Sequence, residues 1–256
     1  MTLKGSFAEG YAASLKQRDS GRALHYYDSL VSTNLVAKEL FAASGKADFV
    51  VAAKVQTGGF GKYGRRWESP EGGLWFSFIA RADNSVVPLF TLAAGHYVAE
   101  YFLKKHNIRL QVKWPNDLVY NGRKVCGILT ELLKAEKGYS YLLCGIGINL
   151  NNTGFQFPAQ LRGIVTSIAQ ISGQEYDPAE TLAEILHALD AAPAGIVPGE
   201  LINNLNSLSY SSDRKVLIRC GDIRLEGVFR RITPEGAALV EAGGKEYKTT
   251  GDIEYL

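Results

Sequence analysis

Apolar and polar residues alternate in short runs along much of this chain, with a few longer stretches at helical spacing between them. Leu110 and Val112 alternate with Arg109 and Gln111, and the run closes on Lys113. That is a strand pattern. Pro115 lacks a backbone donor and holds the residue before it extended, so the strand is expected to stop there. Asn116 and Asp117 suit the turn that follows. Residues 118–120 and 125–129 then read as strands joined at Asn121-Gly122, the strongest short hairpin signal. The rest of the chain is organised around this block, residues 112–129.

Upstream, residues 1–20 carry little pattern and read as a frayed end or a short helix. A short strand starts at His25-Tyr26-Tyr27. Residues 35–41 read as a helix capped by Ser32 or Thr33. Residues 49–55 form an apolar strand, and residues 74–79 another after Gly72-Gly73. Pro88 opens a long helix to about His106, with Leu92, Ala93, His96, Val98, Ala99, Phe102 and Leu103 mostly on one side. His96 reads as packing, and His106 as a partner for the helix C-terminal dipole. Residues 139–150 are nearly all apolar, and Gly145 and Gly147 within them suggest close approach by a ligand or a neighbour. A short helix is expected from 166, an amphipathic one over 178–191 and another over 198–208. From 214 the texture changes to short alternating strands, with turns at 220–222, 234–236 and 242–244. This reads as a small SH3-like β-barrel that leans on the main domain. The expected divisions are an extension over 1–21, a main domain over 22–209 and a β domain over 210–256.

Composition narrows the classes. The 256 residues fit one large or two modest domains. A net charge of +2 does not suggest a nucleic-acid surface. No apolar stretch is long enough for a membrane span, and the first 21 residues lack the apolar core of a secretory signal. Cys126, Cys144 and Cys220 give neither metal spacing nor an even disulfide set, and the first two sit in apolar strands as buried thiols. The Asn151-Asn152-Thr153 sequon is read as chance. A cytoplasmic protein fits these features.

Two features carry candidate chemistry. Lys113 and Lys124 flank tight turns, where they read either as fixed charge for a phosphate or carboxylate or as solvated strand ends. The segment QTGGFGKYGRRW, residues 56–67, holds glycines 58, 59, 61 and 64 beside Lys62, Arg65 and Arg66, with Lys54 just upstream. Glycines let backbone N–H groups approach an anion, and the cations neutralise it. Neither the Walker nor the dinucleotide spacing fits. A phosphate- or carboxylate-binding loop is the expectation, against a plain mobile surface loop, and ordering on ligand arrival is a known use of such loops. Ser32-Thr33-Asn34 offers hydroxyls and an amide at a helix start. Asn149 is a polar residue in an apolar strand and must be paired if buried.

Taken in order, STN at 32–34, QTGGFGKYGRRW at 56–67, KWPND at 113–117, KVCGILTEL at 124–132 and GIGINLNN at 145–152 resemble the biotin protein ligases. The resemblance runs over roughly 22–256. It implies an α+β fold, a mixed, largely antiparallel sheet with packed helices (class II synthetase-like), plus the SH3-like β domain. It implies a two-step reaction. Biotin's carboxylate attacks the α-phosphate of Mg·ATP to give biotinyl-5′-AMP and pyrophosphate, and a lysine of a biotin carboxyl carrier protein then attacks the mixed anhydride. By the same resemblance Lys124 contacts both carboxylate and phosphate, with Arg65 and Lys113 assisting. Ser32, Thr33, Asn34 and Gln56 hold the biotin head, while Gly59, Phe60, Gly61, Lys62 and Gly147 wrap the rest of biotin. Lys62, Arg65, Trp67, Lys113 and Asn149 bind the ATP moiety, Trp67 by stacking and Asn149 at the adenine edge. Asp117 supports Mg²⁺. Too few residues precede the match for the DNA-binding domain of the repressor members, so a monofunctional ligase, monomer or homodimer, is expected. The carrier is expected to dock by strand pairing at a sheet edge.

One departure stands out. The usual loop reads G-R-G-R, and here it is Gly59-Phe60-Gly61-Lys62. Phe60 loses a guanidinium and Lys62 keeps charge without the fork. Weaker hold on the adenylate is expected, or compensation by Phe60 packing. Two alternatives stay open: a lipoate or other acyl-adenylating ligase, and a non-catalytic biotin sensor.

Overall fold

The computed structural model describes residues 7–16, 21–195, 198–220 and 223–256. Helix α1 (Phe7–Lys16) leads into β1 (Ala23–Leu30), α2 (Thr33–Ser44) and β2 (Phe49–Gln56). β3 (Leu74–Asp83), α3 (Phe90–His106), β4 (Gln111–Lys113), β5 (Asp117–Tyr120), β6 (Arg123–Ala135) and β7 (Tyr139–Ile148) follow. Then come α4 (Ile168–Ser172), α5 (Pro178–Gly195) and α6 (Pro198–Ser207). β8 (Lys215–Cys220), β9 (Ile223–Ile232), β10 (Ala238–Ala242), β11 (Lys245–Thr249) and β12 (Asp252–Tyr255) complete the fold.

The first seven strands form one sheet in the order β1-β2-β3-β7-β6-β5-β4. β1 and β2 are parallel because α2 crosses between them, and the other neighbours are antiparallel. Alternate residues of β2 and β3 serve opposite faces. Val50, Ala52, Phe76 and Phe78 join the large core under α3, α5 and α6, while Phe49, Val51 and Ile79 pack with Ala37 of α2. Burial on both faces explains why these strands read as apolar runs. The Asn-Gly hairpin forms as expected: Asn121 and Gly122 take φ of 48° and 76°, and Tyr120 pairs with Arg123.

The last five strands form an antiparallel sheet ordered β11-β10-β9-β8-β12. It shares the main core through Val216, Phe229 and Val240. Trp114 Nε1 donates to Gly236 O at 3.0 Å, and Asn206 exchanges two hydrogen bonds with Ile232. The expected boundary at 209/210 is no free linker: Tyr210 N donates to Val112 O and Val112 N donates to Leu208 O, each at 2.8 Å. Of the turn expected at 220–222, residues 221 and 222 lie outside the described residues. No helix among the described residues is long and apolar enough to cross a membrane.

One local expectation changes. Ser32 sits at the N-cap of α2, but its hydroxyl makes no capping bond. At His106, in the last turn of α3, the ring packs against aromatic neighbours. Its Nε2 lies 3.2 Å from Tyr101 Oη and its ring meets Tyr176 edge-on, and burial pushes the imidazole below its ordinary range. Burial lowers His96 as well. Folding thus disfavours protonation of both rings, and the unfolded chain binds more protons below a pH of about 6.5. Stability is expected to fall as pH drops from about 7.5 to 5.5, a window lying above the carboxylate titrations. Urea midpoints across that window test this. A flat profile, or an unchanged slope in His96→Gln, would sink it.

Candidate active site

One cavity of about 470 Å³ opens over the face of the main sheet, lined from α2, the glycine loop, β4 to β7 and β12. Its polar end is a chain of buried hydrogen bonds. Gln56 Oε1 accepts from Thr33 N at 2.8 Å and Thr33 Oγ1 at 3.1 Å, while Gln56 Nε2 donates to Ser69 Oγ at 2.8 Å. Ser77 Oγ lies 2.7 Å from Thr33 Oγ1 and 2.5 Å from Asn34 Oδ1. The amide of Asn34 reaches Glu131, which also pairs with Lys38 at 2.7 Å. Thr33 N–H thereby fixes which way the Gln56 amide points. This end suits a neutral head with several donors and acceptors.

The opposite end is cationic. Lys124 Nζ pairs with Asp117 Oδ1 at 2.7 Å and sits 4.8 Å from the Trp67 ring centroid. β6 carries one extra residue here, Val125, because Leu118 faces Cys126 while Val119 faces Lys124. Such a bulge re-aims a side chain. The Lys124 backbone is clamped on its other edge: its N–H donates to Ile164 O at 2.8 Å and its carbonyl accepts from Thr166 N at 2.9 Å. Lys113 is half-buried, and burial pushes its ammonium below the ordinary lysine range. Asp117 acts against that shift, while Lys124 and Arg214 add to it.

The glycine loop folds back on itself. Gly61 N donates to Arg65 O at 2.8 Å and Trp67 N to Gly59 O at 2.9 Å. It brings Phe60, Gly61, Lys62, Arg65 and Arg66 to the rim and lays Trp67 on the sheet. A methyl on Gly147 would come 2.5 Å from Trp67 Nε1, and one on Gly127 3.0 Å from the same ring. The glycines of β6 and β7 make the seat for this indole.

Of the residues singled out from sequence, Ser32, Thr33, Asn34, Gln56, Phe60, Gly61, Lys62, Arg65, Trp67, Lys113, Asp117, Lys124 and Gly147 line the cavity. Gly59 and Asn149 do not. Gly59 is glycine because a Cβ would lie 2.7 Å from Trp67 O and 2.8 Å from Ser69 Oγ. Asn149 is buried behind the wall, and its amide nitrogen donates to Thr166 O at 3.1 Å and reaches Lys124 O at 3.4 Å. It braces Lys124 in this conformation, while its Oδ1 is buried without a protein partner. Sequence reasoning missed Phe76, Ile128 and Leu129, which also line the cavity, although Phe76 and Ile128 turn their side chains into the core on the other face of the sheet. It also missed Ile253, Glu254 and Tyr255, which reach the cavity from β12 with no motif to mark them.

Together the fold and cavity define an α+β ligand-binding domain built to hold an anionic molecule by one end and a neutral polar head by the other. The profile of the biotin/lipoate A/B protein ligase family matches residues 26–149. The bifunctional ligase/repressor BirA of Bacillus subtilis is 38% identical over 249 residues, covering 94% of this chain and 76% of that protein. The biotin–[acetyl-CoA-carboxylase] ligase of Paracoccus denitrificans is 28% identical over 221 residues, covering 82% and 90%. Among solved structures, the biotin protein ligase of Aquifex aeolicus in complex with biotin and ATP superposes with a TM-score of 0.78 at 26% identity, covering 91% of this chain and 98% of that one. The chain belongs to the biotin/lipoate A/B protein ligase family, on its biotin-ligase side.

Proposed function

We infer that this protein is an ATP-dependent biotin ligase that makes biotinyl-5′-AMP and transfers biotin to a lysine of a biotin carboxyl carrier protein. The observation that carries this is the cavity's polarity, a neutral hydrogen-bonding end at Thr33 and Gln56 and a cationic end at Lys124 and Lys113. The names and complexes of its relatives point the same way. Activation requires two anions, a carboxylate and an α-phosphate, to meet. Fixed cations and backbone donors offset their repulsion better than water because they need not reorganise.

In this reading Ser32, Thr33, Asn34 and Gln56 hold the biotin head, and Gly61 with its neighbours wraps the tail. Lys124 lies between carboxylate and phosphate, releasing Asp117 as it does so. Arg65, Lys62 and Lys113 face the polyphosphate, and Trp67 stacks on adenine. Asp117 is a single carboxylate, and no cluster of three metal-ligating side chains occurs among the described residues. Mg²⁺ would offset the charge of the ATP phosphates, and Asp117 at the cationic end of the cavity would be the carboxylate that holds it. No covalent enzyme intermediate is needed, which fits buried thiols: burial pushes Cys144 up to about 12 and Cys126 higher. Unpaired buried thiols also fit a cytoplasmic location. Residues 22–209 carry the chemistry and 210–256 form the accessory β domain. The carrier docks at a sheet edge, of which β1 is one in the main sheet, while β4 at the other is already paired with residues 208–210.

ATP–pyrophosphate exchange with biotin, lipoate or no acid tests the reading. Exchange with lipoate alone would move the protein to a different acid. Phe60 makes a second test, because it lines the cavity where a guanidinium is usual. Phe60→Arg adds a charge-assisted donor and is expected to slow release of biotinyl-5′-AMP about tenfold. An unchanged release rate in rapid gel filtration would rule that out.

A further inference from the structure

Tyr255 lies on β12, remote in sequence from every cavity motif, yet it lines the cavity. Its hydroxyl donates to Trp114 O at 2.9 Å and lies 2.5 Å from Ser211 Oγ. Trp114 N donates to the same Ser211 Oγ at 3.1 Å. With the phenol hydrogen committed to Trp114, the Ser211 hydroxyl donates to Tyr255 Oη. The three bonds close a ring that fixes both backbone groups of Trp114. Burial pushes the Tyr255 phenol up, so it stays a donor.

The neighbour of Trp114 is Lys113. Its Nζ lies 4.6 Å from the centroid of the Tyr255 ring and 6.0 Å from that of Tyr210. Lys113 is crowded by like charge from Lys124 and Arg214, with Asp117 as the opposing carboxylate. An aromatic face attracts an ammonium without taking a proton from it and without competing for its hydrogen bonds. Tyr255 therefore acts on Lys113 twice, through the backbone of Trp114 and through its ring.

We propose that Tyr255 is a positioning residue that fixes the Lys113 ammonium at the phosphate end of the cavity. The proposal rests on the biotin-ligase reading and assigns a residue of the C-terminal sheet to the ATP half of that site. Tyr255→Phe keeps the ring and removes the hydroxyl. Tyr255→Leu removes both. Two readouts separate positioning from general damage. The first is reductive methylation of Lys113, measured by peptide mass spectrometry against the exposed Lys104. The second is the split between the ATP and biotin KM in pyrophosphate exchange.

Tyr255→Leu is expected to raise Lys113 labelling about fivefold and the ATP KM about tenfold, with the biotin KM unchanged within about twofold. Tyr255→Phe is expected to keep Lys113 labelling near wild type and to raise the ATP KM less. Unchanged Lys113 labelling in Tyr255→Leu, or ATP and biotin KM rising together, would overturn the proposal. Labelling does not depend on turnover. Absence of biotin-dependent exchange in the wild-type protein would therefore overturn the functional reading alone, and the labelling would still decide whether Tyr255 holds Lys113.

Discussion

Replacing Lys124 by alanine is expected to lower biotin-dependent ATP–pyrophosphate exchange by about 10²–10³-fold, the usual cost of losing one preorganised stabiliser of developing charge. Lys124 is the cation the β6 bulge turns into the cavity, and its backbone is held from both sides by residues 164–166. Its ion pair with Asp117 directs the charge before any ligand enters. The loss should fall on kcat as well as KM, because the interaction with the α-phosphate strengthens as charge builds there. Lys124→Arg keeps charge but not shape, and should recover only part of the rate. Asp117→Asn should be milder, since it frees Lys124 while leaving its charge. Exchange within about fivefold of wild type in Lys124→Ala would remove Lys124 from the centre of the mechanism.

Some of this was legible in the chain and some was not, for reasons that differ by residue. Lys113, Lys124 and the Asn-Gly hairpin are local. A few consecutive residues set their geometry, so alternation and turn chemistry sufficed. The run of glycines and cations marks the loop that lines the cavity, but not the return of Trp67 onto Gly127 and Gly147, which depends on a register set by β6 and β7. Asn149, polar in an apolar strand, calls for a partner in either a base edge or backbone; its amide nitrogen finds Thr166 O, while its Oδ1 is buried without a protein partner. Gly59 is required by its own loop, where a Cβ would meet Trp67 O and Ser69 Oγ, a fold-back that the run of glycines does not reveal. Tyr255 was invisible because nothing in a short strand near the C-terminus says which face meets a cis-Pro turn at Trp114-Pro115.

The floor of the cavity follows from the same register. β6, β7 and β3 lie side by side, with Gly127 opposite Gly147 and Ser77 opposite Gly145. Removing side chains at these points opens the sheet face where Asn34 and Trp67 must lie flat. Ser77 supplies the one hydroxyl that ties Thr33 to Asn34. The sheet thus positions both ends of the cavity, and the glycines matter for the volume they leave empty.

Gly145→Ala is for this reason expected to disable the end of the cavity that holds the biotin head. The new methyl would lie 2.1 Å from Asn34 Oδ1 and 2.8 Å from its Cγ, contacts that require Asn34 to move. Asn34 is buried and bonded to Ser77, so its displacement breaks the chain that runs through Thr33 to Gln56. Buried polar groups left without partners cost about 1–3 kcal/mol each, so the biotin KM should rise about 100-fold. The ATP KM should change by no more than about threefold, because the phosphate end is untouched. Gly147→Ala pushes Trp67 off its seat instead, and should raise the KM of ATP together with that of biotin. Gly163→Ala, where an added methyl meets nothing within 4 Å, serves as the neutral control. If Gly145→Ala bound biotin as tightly as wild type in calorimetry, the head would have to sit elsewhere, and the assignment of Thr33 and Gln56 would fall with it.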